Sequence, residues 1–239
     1  MSSLALIRHA QASFFAAEYD ELSPLGVCQA ERLGRYWVSQ RRTVDAAYVG
    51  PRRRHQQTAA VVAGAHREAG LTFPEPVALP ELDEYDLDGI LGHVAPELAR
   101  QSEDFAALYQ RQRHGETERE QARNFQRMFE WLMGQWIIAC PEVEGVELWP
   151  AFQARVQRGV ERMTNEHGRG HSVVAFTSGG FIGAAMQLVL GAPPRAALEI
   201  NWRIRNASVT EFVFSRGRIS LDAFNSTAHL DDPDLLTYR

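Results

Sequence analysis

Residues Leu4 to Ile7 make a short unbroken apolar run, the pattern of a strand buried on both faces. Behind Ser23-Pro24, an N-cap followed by a proline suited to a first turn, Leu25, Cys28, Leu33, Tyr36 and Trp37 recur at helical spacing. Val44 to Val49 is a second strand, and Pro51 precedes a helix over roughly Arg53 to Ala69, with Val62, Ala65, His66 and Ala69 on or near one face. Pro76 to Leu79 is a third short segment. Strands alternating with helices predict a layered α/β domain with a largely parallel sheet. The middle changes period. From Ala95 to Ala139 no strand signal occurs, and Phe125, Met128, Phe129, Leu132, Met133, Trp136 and Ile137 keep a three-and-four spacing that buries one face. This stretch reads as a helical insertion at about residues 92–146, lying over one end of the sheet and broken by Pro141 and Gly145. Phe152, Val156, Val160 and Met163 mark a further helix. Ser172 to Thr177 is an apolar strand leading through Ser178-Gly179-Gly180 into an apolar helix, Phe181 to Leu190. Val209 to Phe214 and Ile219 to Ala223 flank Ser215-Arg216-Gly217-Arg218 as a closing antiparallel pair. Without repeats, low-complexity segments or linkers, residues 1–239 read as one three-layer α/β/α domain.

Composition narrows the function. A chain of 239 residues with 45% hydrophobic positions can bury a large core. A formal charge of −5 argues against a general nucleic-acid or membrane-surface binder. Arg52-Arg53-Arg54 is thin support for a nucleic-acid contact in so acidic a chain. Cys28 and Cys140 form no Cys-x-x-Cys pair and no disulfide framework. Too few residues precede Arg8 for a leader's apolar region, and no apolar run is long enough to span a bilayer. The expected setting is therefore reducing and cytoplasmic. His167 and His171 stand four apart, but Gly168 and Gly170 argue against the helix that would aim both at one ion. No metal and no other cofactor is expected, and nothing in the pattern sets an oligomeric state.

In open parallel sheets ligands bind beyond the carboxyl ends of the strands. Arg8 and His9 stand at one such end, Arg52 to Arg54 at the next, Glu81 after the third, and Ser178 and Gly179 after the later strand. A guanidinium presents paired donors that match phosphate oxygens and stays charged at any working pH. A neutral imidazole can attack phosphorus, and a carboxylic acid can protonate the departing oxygen. The collection suits phosphoryl transfer.

The order of these motifs resembles the histidine phosphatase superfamily, the group of cofactor-dependent phosphoglycerate mutases and many phosphatases. Arg8-His9-Ala10 resembles its Arg-His-Gly signature, and "LSPLGVCQAERLG" its "LTxxGxxQAxxLG" helix entry. "GPRRRHQQTA" resembles "SPLxRAxQTA", "LPELDEYDLDG" resembles "LxExxFGxWEG", and "ELWPAFQARV" resembles "ESxxxFxxRV". "NASVTEF" resembles the closing strand. The resemblance implies a phosphoglycerate mutase-like fold with the insertion at the active-site end. It implies His9 as the nucleophile that becomes phosphohistidine, Arg8 and Arg54 as the phosphoryl clamp, and Glu81 as the proton donor and then the base. The implied substrate is a phosphate monoester, carried by a small molecule or a phosphoprotein.

One departure stands out. The family's "VVSHGGxI" reads here as "VVAFTSGGFIG", so Ser178 occupies the place of a second histidine that contacts the phosphoryl group. Removing one well-aimed donor from such a clamp costs about 3 kcal/mol, roughly a hundredfold in rate. Two outcomes stay open: a slow phosphatase, in which Ser178, Gly179 and the helix N-terminus hold the phosphate, and a non-catalytic phospho-ligand or partner-binding protein. A mutase is less expected, because no segment is assigned to retaining a bisphosphorylated intermediate. His93 and His229 are the histidines nominated to fill the gap. Ala10 in place of glycine matters only if that backbone needs positive φ or close approach to a ligand. Arg111, Arg113, Phe105, Tyr109 and Trp131 of the insertion either line an entrance or, for the aromatic stripe, form core.

Overall fold

The computed structural model describes residues 1–13, 20–112, 114, 117–138 and 141–238, so Arg113 and Cys140 lie outside the described residues. The chain divides into two compact units, Met1–Glu84 with Arg155–Arg239, and Tyr85–Ala154.

The first unit is built on six strands: β1 (Ser2–Arg8), β2 (Ala46–Val49), β3 (Val77–Ala78), β4 (Ser172–Thr177), β5 (Val209–Ser215) and β6 (Arg218–Ser226). Their spatial order is β3-β2-β4-β1-β5-β6. The first four run parallel, β5 is antiparallel to β1, and β6 closes the expected antiparallel pair. Leu4 to Ile7 are fully buried, which is why β1 is apolar without alternation. Ala5 and Ile7 pack with Leu33 and Trp37 of α1 (Pro24–Ser39) and with Ala59 and Val62 of α2 (Arg53–Glu68). Leu4 and Leu6 alternate to the opposite face. The result is a three-layer α/β/α arrangement around a mostly parallel sheet.

In the second unit, α3 (Leu87–Gly89) runs through a π-helical turn, Ile90–Val94, into α4 (Ala95–Gln101), followed by α5 (Glu103–Arg111) and α6 (Glu118–Ile138). It is helical, as its period predicts. The α6 face is buried at Met128, Leu132, Met133 and Trp136. Phe105 is fully buried and stacks on Trp131 at 4.6 Å between ring centroids, with Tyr109 at 6.0 Å. Phe105 is core of this unit, and Trp131 and Tyr109 are half-buried against it. Helix α7 (Trp149–Asn165) begins here and continues into the first unit at Arg155.

Two further helices complete the first unit. In α8 (Gly179–Leu190) every residue from Gly179 to Gln187 is buried, so the helix is apolar around its whole circumference. The seven-residue α9 (Arg195–Asn201) was not signalled by the pattern. It is too short to show a period, and Pro193-Pro194 reads as a turn although Pro194 serves as the N-cap.

Candidate active site at the strand ends

Register brings the chemistry together. Arg8 of β1 lies opposite Thr177 of β4, and Val49 of β2 opposite Phe176. Three neighbouring strands therefore end level, delivering Arg8-His9, Gly50 and Ser178 to one rim. His9 is buried and its backbone is pinned on both sides. Its N–H donates to the Thr177 carbonyl at 2.8 Å, and its carbonyl accepts from the Ala207 N–H at 3.2 Å and from Asn206 Nδ2 at 3.3 Å. His9 Nδ1 lies 2.8 Å from the Ala10 carbonyl oxygen. A carbonyl only accepts, so Nδ1 carries the proton and Nε2 presents its lone pair. Burial, then the charges of Arg54 and Arg8 and the neighbouring His55, push this imidazole well below the ordinary histidine range. It is neutral at physiological pH, the state a nucleophile requires.

Ala10 needs no special backbone, since its φ is not positive. Its N–H donates to Thr58 Oγ1 at 3.1 Å and its methyl is buried with Ala30 and Ala207. The backbone conformation at this position does not demand glycine. Gln11 is likewise structural: its N–H donates to Gln29 Oε1 and its Oε1 accepts from Ser23 Oγ, while Ser23 caps α1 through the Gly26 N–H.

The two arginines are held by different partners. Arg8 donates from Nη1 to the Ile204 carbonyl. Arg54, in the first turn of α2, is buried and donates from Nη1 to Asp20 Oδ1 at 2.7 Å. Asp20 Oδ2 accepts from the Arg53 N–H at 2.7 Å, so one carboxylate both caps α2 and orients Arg54. Arg52 pairs with Asp83 and Arg53 with Glu21.

Glu81 follows β3, two strands from β4, yet its segment folds back. Thr177 Oγ1 donates to the Leu82 carbonyl at 2.6 Å, and Glu84 Oε2 accepts from the Gly180 N–H of α8 at 3.1 Å. Residues 79–84 thus cross the end of β2 and reach the end of β4 and the first turn of α8. Arg155 of α7 fastens them, donating from Nη1 to the Glu81 and Asp83 carbonyls at 3.0 and 2.8 Å and from Nη2 to Glu84 at 3.2 Å. The acidic loop is therefore built rather than merely solvated: Asp83 pairs with Arg52, Glu84 sits on the α8 N-terminus, and Asp86 caps α3 through Gly89. The Gly180 amide, expected as a phosphate anchor, already serves Glu84.

Ser178 is fully buried and makes no side-chain cap on α8. Its Oγ lies 2.6 Å from His55 Nε2 instead. The nominated His229 packs beside Tyr36 and is bonded to Ala207, and His93 belongs to the second unit. The histidine at the gap is His55, which sequence reasoning passed over. Its ring centroid is 5.7 Å from that of His9. The available signal was its place directly after Arg54, in the first turn of a helix leaving a strand end. Gly179 is packed closely: a Cβ there would lie 2.4 Å from Asn201 Oδ1, so a side chain would displace the Asn201 amide.

Comparison with known proteins gives the family and the fold. Residues 4–135 and 112–227 match the family model of the histidine phosphatase superfamily (branch 1). The chain is 37% identical over 93 residues to a 2,3-bisphosphoglycerate-dependent phosphoglycerate mutase of Methylorubrum populi, a match covering 36% of this chain and 44% of that protein. Its fold is similar to phosphoserine phosphatase of Entamoeba histolytica bound to 3-phosphoglyceric acid, with TM-score 0.65 and 20% identity over 96% of this chain and 100% of that one. It is also similar to phosphoglycerate mutase of Bacillus anthracis, with TM-score 0.65, 17% identity and 96% and 95% of the two chains covered. The alpha-ribazole phosphatase of Shigella flexneri gives TM-score 0.62, 18% identity and 94% and 96% coverage. With most of its length matched and the Arg-His pair at the end of β1, the chain belongs to branch 1 of the histidine phosphatase superfamily.

Proposed function

We propose that the chain is a phosphatase that hydrolyses a phosphate monoester through a phosphohistidine on His9. The observation that carries the reading is the imidazole itself: buried, proton fixed on Nδ1 by the Ala10 carbonyl, kept neutral between two arginines. In the first step His9 Nε2 attacks phosphorus, the ester P–O bond breaks, and Glu81 gives its proton to the leaving oxygen. Arg8 and Arg54 hold the phosphoryl oxygens as charge redistributes. In the second step Glu81 takes a proton from water, which attacks the phosphohistidine and releases inorganic phosphate and neutral His9. No metal is called on. Two of the structural relatives being named phosphatases supports hydrolysis, and the presence of both His9 and Glu81 weighs against a protein that only binds phospho-ligands. The substrate class is a phosphorylated small molecule or phosphoprotein, and the expected compartment is the cytoplasm.

The experiment is to mix the protein with a 32P-labelled aryl phosphate without metal, quench it, and map the label. A phosphoenzyme stable in alkali, labile in acid and located on the peptide containing His9 is the expected result. An acid-stable label on Ser178, or no label and no turnover, overturns it. Chase of the label into an added phosphoglycerate in preference to water would make the chain a mutase.

Arg155 gives a separate check on Glu81. Arg155→Ala removes the donors that hold the carbonyls of Glu81, Asp83 and Glu84. Misplacing a reacting group by about 1 Å costs on the order of a hundredfold. A fall in kcat of that scale, larger than any change in KM, is expected on an aryl phosphate. The loss should shrink for a substrate whose leaving group is too acidic to need a proton.

A further inference from the structure

We infer that His55 and Ser178 act as one neutral hydrogen-bond relay that takes the place of a second histidine, His55 orienting the Ser178 hydroxyl toward the phosphoryl group in flight. The inference rests on the phosphatase reading above. It starts from a proton count. His55 is fully buried, and its Nδ1 has no hydrogen-bond partner among the described residues. Were Nδ1 protonated, a buried N–H would face no acceptor, the costlier of the two ways to leave that atom unpaired. With no anion bound, either tautomer leaves one buried donor unpaired, Nδ1–H or the Ser178 hydroxyl, so an arriving oxyanion decides between them: it selects the form with the proton on Nε2, whose N–H donates to Ser178 Oγ at 2.6 Å. The Ser178 oxygen is then committed as an acceptor. Its own proton is left without an acceptor among the described residues, on a fully buried side chain between the ends of β1 and β2.

An oxyanion arriving at His9 supplies that acceptor. The chain of bonds runs His55 Nε2–H to Ser178 Oγ, and Ser178 Oγ–H to a phosphoryl oxygen, each strengthening the other by polarisation. No proton changes hands, so the pair acts equally in formation and hydrolysis of the phosphohistidine. Burial, then the charges of Arg54 and Arg52, keep His55 from becoming a cation. The neighbourhood is shaped to hold this ring. A Cβ on residue 50 would lie 2.3 Å from His55 Nδ1 and 2.9 Å from the Leu82 carbonyl, so only Gly50 lets the imidazole stand where it reaches Ser178. The substitution at Ser178 and the histidine after Arg54 thus form one device. His55 is its positioning residue and Ser178 its contact.

The test is a double-mutant cycle on an aryl phosphate, with each kcat expressed per subunit that forms the phosphoenzyme, so that misfolded protein is not counted. Ser178→Ala and His55→Phe are each expected to lower kcat roughly a hundredfold, the usual scale for one lost donor to a developing charge. KM should stay within a few-fold of wild type. The double variant should be no slower than either single one, and His55→Gln, whose amide can donate from the same place, should recover most of the rate. A wild-type kcat in Ser178→Ala, losses that multiply in the double variant, or His55→Gln as slow as His55→Phe would each overturn the relay. If His55→Phe does not fold, Ser178→Ala and His55→Gln decide by the same criteria. Orthovanadate affinity, read by calorimetry, needs no turnover. Both single variants should weaken it at least tenfold without adding in the double variant, and unchanged affinity overturns the relay. Should the wild type form no phosphoenzyme while vanadate affinity falls in this linked way, the phosphatase reading fails and the relay stands.

Discussion

His9→Ala is expected to lower kcat on an aryl phosphate by roughly four orders of magnitude or more, the scale of losing the nucleophile in other covalent catalysts. Without His9 Nε2 the phosphoryl group has no acceptor that the site holds in place, and water must attack the ester in one difficult displacement. The binding apparatus survives the change. Arg8 remains bonded to Ile204, Arg54 to Asp20, and the His9 backbone bonds to Thr177, Ala207 and Asn206 do not involve the imidazole. Inorganic phosphate should therefore bind His9→Ala within a few-fold of wild type, measured by calorimetry at equal ionic strength. A variant that hydrolyses the ester at the wild-type rate would refute the mechanism. One that loses phosphate binding along with turnover would show that His9 holds the site together rather than reacts.

The parts of this site differ in how far local pattern reveals them. β1 was legible because a strand covered on both faces must be apolar throughout, and its abrupt end at Arg8-His9 marks a rim where ligands bind. The second unit was legible as helix because the apolar positions of α6 recur at helical spacing and bury Met128, Leu132, Met133 and Trp136 on one face. What stayed hidden is held by contacts between residues far apart in the chain. Asp20 orients Arg54 from 34 positions away, Glu84 meets α8 across 96, and Arg155 fastens the Glu81 segment across more than 70. No spacing rule registers such pairs. Glu81 itself follows a two-residue strand with both residues exposed, which lacks the apolar signature of its neighbours, so the order of motifs pointed to it. His55 was hidden for a different reason. Judged by metal-ligand spacing it has no partner, whereas its actual partner is a serine 123 positions later. A substitution at one strand end is best read together with the first helical turn leaving the adjacent strand, since the sheet places both at one rim.

Stability is expected to fall steeply as pH drops from about 6.5 toward 4, before carboxylate protonation dominates. His9, His55 and His229 are all buried, and burial is the leading cause that pushes each below the ordinary histidine range. The sign follows from proton counts. Above the unfolded value near 6.5 neither state binds the proton and the full stability is present. Below it the unfolded chain takes up protons that the folded chain refuses, so stability is lost as pH falls toward the depressed folded value. His229, pushed down to about 4, carries its loss across that whole interval. At 1.36 kcal/mol per unit this amounts to on the order of 3 kcal/mol from one side chain. That is a large share of the roughly 5–15 kcal/mol that holds a typical domain together. Among the described residues His229 bonds to the backbone of Ala207, whose N–H in turn holds the His9 carbonyl, so the cost of burying its charge falls beside the segment that pins His9. Urea unfolding between pH 8 and 5 is the measurement. The midpoint should be flat above pH 7 and drop below 6.5, and His229→Gln, which keeps a neutral donor for Ala207, should flatten that drop without altering the plateau by more than about 1 kcal/mol. An acid limb of equal steepness in His229→Gln would show that this histidine stays solvated, and that the loss at low pH arises elsewhere.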